Sequence, residues 1–372
     1  MPRFIRVCLI LAAIFFAVAI QACSQDEFKA TKRAAKKGDA KAQHNLGTMY
    51  ASGRGVAQDY AEAAKWFHRA AEQGEARTQY NLGVMYASGQ GVAQDYTEAA
   101  RWYHKAAEQG LAEAQNNLGA MYVNGQGVVQ SYREAAKWYR RAAEQGIGEA
   151  EFNLGFMYAS GLGMARNDTE AARWYRRAAE QGIAEAQHRL GVMYYSGQGV
   201  SLDYAEAVKW YRKAADQGVA EAQYNMGMMY HSGRGMVQSD AEAARWYRKA
   251  SEQGIAAAQY NLGLMYYKGQ SVTQDYTEAA KLFLLAAEQG FVRAQHNLGV
   301  MYYNGQGVSR NYVEAARWYR RAAEQGYAGA QFSLSMMHAK GQGVMQSDTE
   351  AVKWLQLAVN QGYLGRFSEI SN

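Results

Sequence analysis

Apolar residues recur along most of this chain with the spacing of a helix face. Ala186, Leu190, Met193 and Tyr194 follow an i, i+4, i+7, i+8 stripe, and Ala207, Trp210, Tyr211 and Ala214 repeat it further on, so this stretch predicts two helices. The same double stripe returns every 36 residues. Leu46 and Gly47 open a column continued by Leu82 and Gly83, Leu118 and Gly119, Leu154 and Gly155, Leu190 and Gly191, Leu262 and Gly263, and Leu298 and Gly299. Met226 with Gly227 and Leu334 with Ser335 complete it. The phase fits nine helix pairs beginning at Asp39, Glu75, Leu111, Ile147, Ile183, Val219, Ile255, Phe291 and Tyr327 and ending at Gly362. One pair cannot bury its apolar faces alone, so the predicted fold is an all-α solenoid in which neighbouring pairs share a core.

Helix ends are written into the repeat. Position 21 holds Asp59, Asp95, Ser131, Asn167, Asp203, Ser239, Asp275, Asn311 and Ser347, all short acceptors for the free N–H groups of a first helical turn. A glutamate follows three residues later each time, from Glu62 to Glu350, which predicts a reciprocal capping box. The glycine closing each repeat, Gly74 through Gly362, is expected to stop the second helix, and Gly53, Gly89, Gly125 and their copies the first. The only proline is Pro2, so glycine alone punctuates the array.

The segment from Ala186 through Gly191 to Tyr194, followed by Gly197-Gln198-Gly199-Val200 and then Tyr204 through Trp210 and Tyr211 to Ala215, resembles Sel-one-like repeats. The resemblance covers residues 39–362 and recurs nine times. It implies a right-handed α/α superhelix, related to tetratricopeptide arrays, that serves as a scaffold for protein–protein interaction in bacterial envelopes or in secretion and quality-control assemblies.

The N-terminus bears on compartment. Arg3 and Arg6 precede an apolar run from Val7 to Ile20, the length of a signal-peptide core and short of the roughly 20 residues of a membrane span. Ile20-Gln21-Ala22-Cys23 is similar to a bacterial lipobox, with Gln21 an untypical filler. Residues 1–22 therefore read as a lipoprotein-type signal, with Cys23 as the lipidated first residue of the mature chain and ordinary cleavage near Ala22 as the alternative. Ser24 points to the outer membrane by analogy with lipoprotein sorting. Residues 23–38 form a linker and a capping helix over Lys29–Lys37, and 363–372 a tail. Cys8 and Cys23 are the only cysteines, so the array can hold neither a disulfide nor a thiolate metal site.

Candidate chemistry is sparse. Gly89-Gln90-Gly91 looks like a fragment of a phosphate loop, but it recurs as an interhelical turn. His44, His188 and His296 share one column, whole repeats apart, with no convergent acid, which argues against metal ligation. No catalytic residue, metal or cofactor is assigned. Cysteine-rich relatives of the family have been described as β-lactamases, but their cysteine pairs are absent here. The formal charge of +6 drops to +4 when Arg3 and Arg6 leave with the signal. Lys137, Arg140 and Arg141 have Glu134 and Glu144 within a turn, so the basic face is self-neutralised and nucleic acid is not an expected partner.

A second stripe on the first helix lies roughly 200° from the leucine column and is expected to face a partner. It runs through Tyr80 and Val84, then Tyr224, Met228 and His231, then Tyr260, Leu264 and Tyr267, then His296, Val300 and Tyr303. The rival reading is packing between adjacent first helices. Leu282, Leu284 and Leu285 put leucine where other repeats carry tryptophan and two basic residues, and Leu284 and Leu285 form a second candidate contact. Leu355 and Leu357 make a similar change in the end repeat, and Gln270-Ser271 loses the second turn glycine. The expected function is a non-catalytic adaptor in the bacterial periplasm, lipid-anchored to the membrane, holding a protein partner along the concave face. The alternatives are an envelope hydrolase or peptidoglycan-binding protein, and a secreted factor that engages a host protein.

Overall fold

A computed structural model describes residues 25–363. The signal segment, Cys23, Ser24 and residues 364–372 lie outside the described residues. Among the described residues there are helices and no strands. Helix α1 spans 25–36, longer at its start than the expected Lys29–Lys37. Four pairs follow, α2 (Ala40–Ser52) with α3 (Tyr60–Glu72), α4 (Ala76–Ser88) with α5 (Tyr96–Glu108), α6 (Ala112–Asn124) with α7 (Tyr132–Glu144), and α8 (Gly148–Ser160) with α9 (Asp168–Glu180). Next come α10 (Ala184–Ser196) with α11 (Tyr204–Asp216), and α12 (Ala220–Ser232) with α13 (Asp240–Glu252). The last three pairs are α14 (Ala256–Lys268) with α15 (Tyr276–Glu288), α16 (Val292–Asn304) with α17 (Tyr312–Glu324), and α18 (Ala328–Lys340) with α19 (Asp348–Asn360). They fall into two compact units that divide after Ile183, each built by stacking helix pairs.

Both helix ends form as the glycines and short polar residues require. Gly53 ends α2 at φ +75° and Gly74 follows α3 at φ +96°, conformations that cost an L side chain but not glycine. The position-21 residues all cap, with Asp59 Oδ1 accepting from Glu62 N at 2.9 Å and Ser131 Oγ from Glu134 N at 3.3 Å. The reciprocal half of the capping box does not form. Each cap N–H is already taken by a carbonyl of the preceding helix, as in Asp59 N to Tyr50 O at 2.9 Å and Asp95 N to Tyr86 O at 2.9 Å. The glutamates turn outward instead, Glu134 to Lys137 at 2.6 Å and Glu206 to both Lys209 and the Trp210 indole.

The core repeats with the sequence. Leucine and methionine of the first helix meet alanines, tryptophan and an aromatic residue of the second, all buried. Truncating such a leucine to alanine typically costs about 2–5 kcal/mol. A basic side chain one turn on lies over every tryptophan face except that of Trp354, which has Leu357 there, as with Arg69 on Trp66 at 4.6 Å, Arg141 on Trp138 at 4.7 Å and Lys249 on Trp246 at 4.2 Å. Another reaches the next first helix, as Arg140 Nη2 donates to the Tyr158 hydroxyl at 2.8 Å and Arg248 Nη2 to that of Tyr266 at 2.8 Å. The basic face is thus occupied in binding its own aromatics and glutamates.

Candidate functional site

The residues of the second stripe separate into two kinds. Tyr260 and His296 were expected to face a partner, and the structure corrects this, because both are buried, at 3% and 2% relative exposure. The reason lies one repeat on. Phe291 covers Tyr260, with ring centroids 5.0 Å apart, and Tyr327 covers His296 at 5.3 Å. Their other faces meet Phe283 at 5.8 Å and Tyr319 at 5.4 Å. Val300 is fully buried as well. Where the following repeat opens with an aliphatic residue instead, as Ile255 does after Tyr224, the stripe residue stays half-buried, its ring 5.9 Å from Tyr247. Tyr80 behaves like Tyr224.

The remaining stripe residues keep accessible surface. Met228, Leu264, Tyr267 and Tyr303 are half-buried and His231 is exposed. Tyr267 and Tyr303 are held from the next repeat, donating to Gln306 Oε1 at 3.0 Å and Gln342 Oε1 at 2.9 Å. Their rings lie 5.0 Å from Tyr276 and 5.0 Å from Tyr312. Burial raises the phenols of Tyr224, Tyr267 and Tyr303, so they act as neutral hydroxyls. His231 breaks that pattern, its Nδ1 standing 2.7 Å from Asp240 Oδ1.

Part of the stripe converges on one cavity of about 410 Å³ in the second unit. His231 of α12, Tyr260, Leu264 and Lys268 of α14 and Arg293 of α16 line it. Tyr247, Met265 and Asn261 add to its wall, and Gln270 enters from the turn after α14. Gln270 Nε2 donates to Asp240 Oδ2 at 2.8 Å, so both oxygens of Asp240 are engaged behind the cavity. The adjacent Ser271 is the one non-glycine with positive φ among the described residues, at +56°. Sequence reading missed Lys268 and Arg293. The signal was partial: Lys268, like Lys340, stands where the other repeats have serine or asparagine, and Arg293 lies in a column that holds Glu113, Glu149, Glu185 and Glu221 but also Lys41 and Arg77.

The leucine patch also divides. Leu284 is half-buried and packs against the same core cluster as Tyr302, the tyrosine whose counterparts Tyr158 and Tyr266 receive an arginine. Leu285 remains 47% exposed. Among the described residues, no group of three or more histidine, cysteine or acidic side chains is placed to hold a metal, and no helix is long and apolar enough to cross a membrane.

The Sel1 repeat model matches nine consecutive segments, 40–75, 76–111, 112–147, 148–183, 184–219, 220–255, 256–291, 292–327 and 328–363. The chain belongs to the Sel1 repeat family. Its repeats make it an α-solenoid of a kind that mediates protein–protein interaction and is generally non-catalytic. It is similar to a protective antigen present in uropathogenic Escherichia coli strains, at 36% identity and TM-score 0.69, over 88% of this chain and 78% of that one. It is also similar to a Sel1 repeat protein from Oxalobacter formigenes, at 35% identity and TM-score 0.64, over 83% of this chain and 89% of that one. No protein with a curated function matches this chain.

Proposed function

We propose that this Sel1 repeat protein is a non-catalytic adaptor of the bacterial envelope, anchored through Cys23, that binds one partner protein along the first-helix face of its second unit. The observation that carries the reading is the cavity shared by α12, α14 and α16, on whose helices Met228, Leu264 and Tyr267 also keep accessible surface. Rigid aromatic and aliphatic groups beside fixed polar ones are what a protein-binding surface uses to gain affinity at low entropic cost. The signal-like N-terminus and the likeness to an antigen of uropathogenic strains support an exported location.

The test is crosslinking in intact cells followed by capture from membrane fractions. The native chain is compared with a Met228→Ala, Leu264→Ala, Tyr267→Ala variant whose circular dichroism matches the native. A specific protein captured by the native chain and lost by the variant supports the adaptor; identical capture by both, or none by either, overturns it. Anchoring is read separately: Cys23→Ser should shift the protein from the membrane to the soluble fraction and abolish incorporation of labelled palmitate. Unchanged fractionation removes the anchor from the proposal.

A further inference from the structure

The second helices neutralise cations of their own. Lys65, Arg101, Lys137, Lys209, Arg245 and Lys281 each bond the glutamate three residues before them, as Lys137 does with Glu134 at 2.6 Å and Arg245 with Glu242 at 2.7 Å. Helix α1 treats its cations differently. It docks on the first pair through Phe28, whose ring centroid lies 5.5 Å from that of Tyr50, and through Ala35, which is 1% exposed. Lys29, Arg33, Lys36 and Lys37 follow the i, i+4, i+7, i+8 spacing of one face, the last of them in the turn after α1, and all four are exposed. Lys29 Nζ stands 3.3 Å from Asp26 Oδ1, whereas Arg33, Lys36 and Lys37 make no ion pair among the described residues. The other acids of this segment are engaged away from the stripe: Glu27 pairs with Arg54, and Asp39 caps α2 by accepting from Ala42 N at 2.7 Å.

We propose that the stripe of Lys29, Arg33, Lys36 and Lys37 binds anionic phospholipid headgroups, so that α1 lies along the membrane surface beside the acylated Cys23; the inference rests on the anchor in the adaptor reading. Cys23 stands two residues before α1, a reach of at most about 7 Å, so a lipid there brings the first turn of α1 to the headgroups. Because Phe28 and Ala35 fix α1 to α2, the stripe arrives at the bilayer as part of the folded array and not on a loose tail. Laid flat, the stripe stays within the Debye length of about 8 Å at physiological salt, whereas an upright α1 carries Lys37 about 18 Å further out than its first residue. Each cation held near an anionic surface strengthens binding by a factor of about five, and the headgroup phosphates accept charge-assisted hydrogen bonds from the ammonium and guanidinium groups.

The test uses the mature chain carrying one myristoyl chain coupled to Cys23, its only thiol once Cys8 leaves with the signal. A single such chain binds bilayers weakly enough for a second contribution to show. Sedimentation with vesicles of about 30 mol% phosphatidylglycerol in phosphatidylcholine should show at least about tenfold tighter binding than with phosphatidylcholine alone. Raising salt from about 50 to about 500 mM should remove the gain. The Arg33→Gln, Lys36→Gln, Lys37→Gln variant, with unchanged circular dichroism, should lose at least about tenfold on the anionic vesicles, and Arg33→Lys with Lys36→Arg and Lys37→Arg should keep the native affinity. A control that removes the same charge from second helices, Lys137→Gln with Lys209→Gln and Arg245→Gln, should bind as the native chain does. Equal binding to the two kinds of vesicle, native-like binding by the α1 variant, or an equal loss in the control overturns the inference. Labelled palmitate in cells reads the anchor by itself. Uptake at Cys23 without any vesicle preference leaves the anchor standing and sinks the stripe, whereas a vesicle preference without uptake keeps the stripe and removes the anchor.

Discussion

Arg177 reaches from α9 to the buried carboxylate of Glu151 on α8, Nη2 to Oε1 at 2.8 Å, and the same nitrogen donates to the carbonyl of Ala143 at 3.2 Å. In other repeats a glutamine amide meets that carbonyl, Gln43 on Ala35 at 3.1 Å, Gln79 on Ala71 at 3.1 Å and Gln115 on Ala107 at 3.0 Å. Glu151 stands in the glutamine column, and an ionised carboxylate cannot donate. The guanidinium supplies the missing donor and balances the charge, while Gln181 Nε2 still donates to Glu151 Oε2 at 2.7 Å.

Removing one partner therefore differs from replacing the pair. Arg177→Ala leaves a buried carboxylate held by Gln181 alone and should cost about 2–4 kcal/mol, since breaking a buried pair strands its charge. Glu151→Gln rebuilds the ladder seen in the other repeats and should be neutral or stabilising. In that background Arg177→Ala should cost less than about 1 kcal/mol, because Arg177 is partly exposed and its loss strands nothing. Urea denaturation of the four proteins closes the cycle; a coupling near zero would refute this account.

The same carboxylate predicts a pH dependence. Burial holds the Glu151 carboxyl above its ordinary value of 4.5, with Arg177 and Gln181 pulling the other way. The folded chain thus binds this proton more readily than the unfolded chain, and the ionised form lowers stability. Stability relative to Glu151→Gln should fall as pH rises from the ordinary carboxylate range through the raised folded value, then level off. Below that range the gap should be constant. Thermal melts of both proteins across pH measure it, and parallel profiles would contradict the assignment.

Gly119 on α6 lies against the ring of Tyr139 on α7, where an added Cβ would stand 2.8 Å from Cδ1. Gly83 and Tyr103, and Gly227 and Tyr247, meet at 2.7 and 2.5 Å in the same way. The last repeat has Ser335 in the glycine column and Leu355 in the aromatic one, so the two change together. Gly119→Ala should cost about 1–3 kcal/mol through overpacking, despite alanine's better helix propensity. Adding Tyr139→Leu should make the alanine cheaper than it is alone. If the two costs simply add, the glycine is serving some end other than room for the ring.

The period, both helix boundaries and the leucine core could be read from the chain because each is a local pattern copied nine times. The half-formed capping box could not, because the competing acceptor, Tyr50 O for Asp59 N, comes from the other helix of the pair. Nor could the burial of Tyr260 and His296, which depends on Phe291 and Tyr327 in the following repeat and not on the stripe itself. The cavity was half legible: Leu264 and His231 belong to the stripe, whereas Lys268 and Arg293 become neighbours only through stacking of α14 on α16.

Leu282 and Leu285 change together in the seventh repeat, whereas the last repeat keeps Trp354 beside Leu357, and the contact each makes tells which of the two is available to a partner. Elsewhere the basic residue at the Leu285 position lies over tryptophan, as Lys213 does over Trp210 at 4.4 Å and Arg321 over Trp318 at 4.8 Å. With Leu282 buried in place of tryptophan, a cation at 285 has no ring to cover. Leu285→Lys should therefore leave stability within about 0.5 kcal/mol of native, as surface changes usually do. In a Leu282→Trp background, lysine should be better than leucine by about 0.5–1 kcal/mol, the value of an exposed cation–π contact. The same Leu285→Lys variant separates packing from binding in the crosslinking assay. Partner capture reduced with stability unchanged would make Leu285 a contact residue, whereas capture unchanged would leave the leucine as the natural companion of Leu282 and confine the binding surface to the first helices.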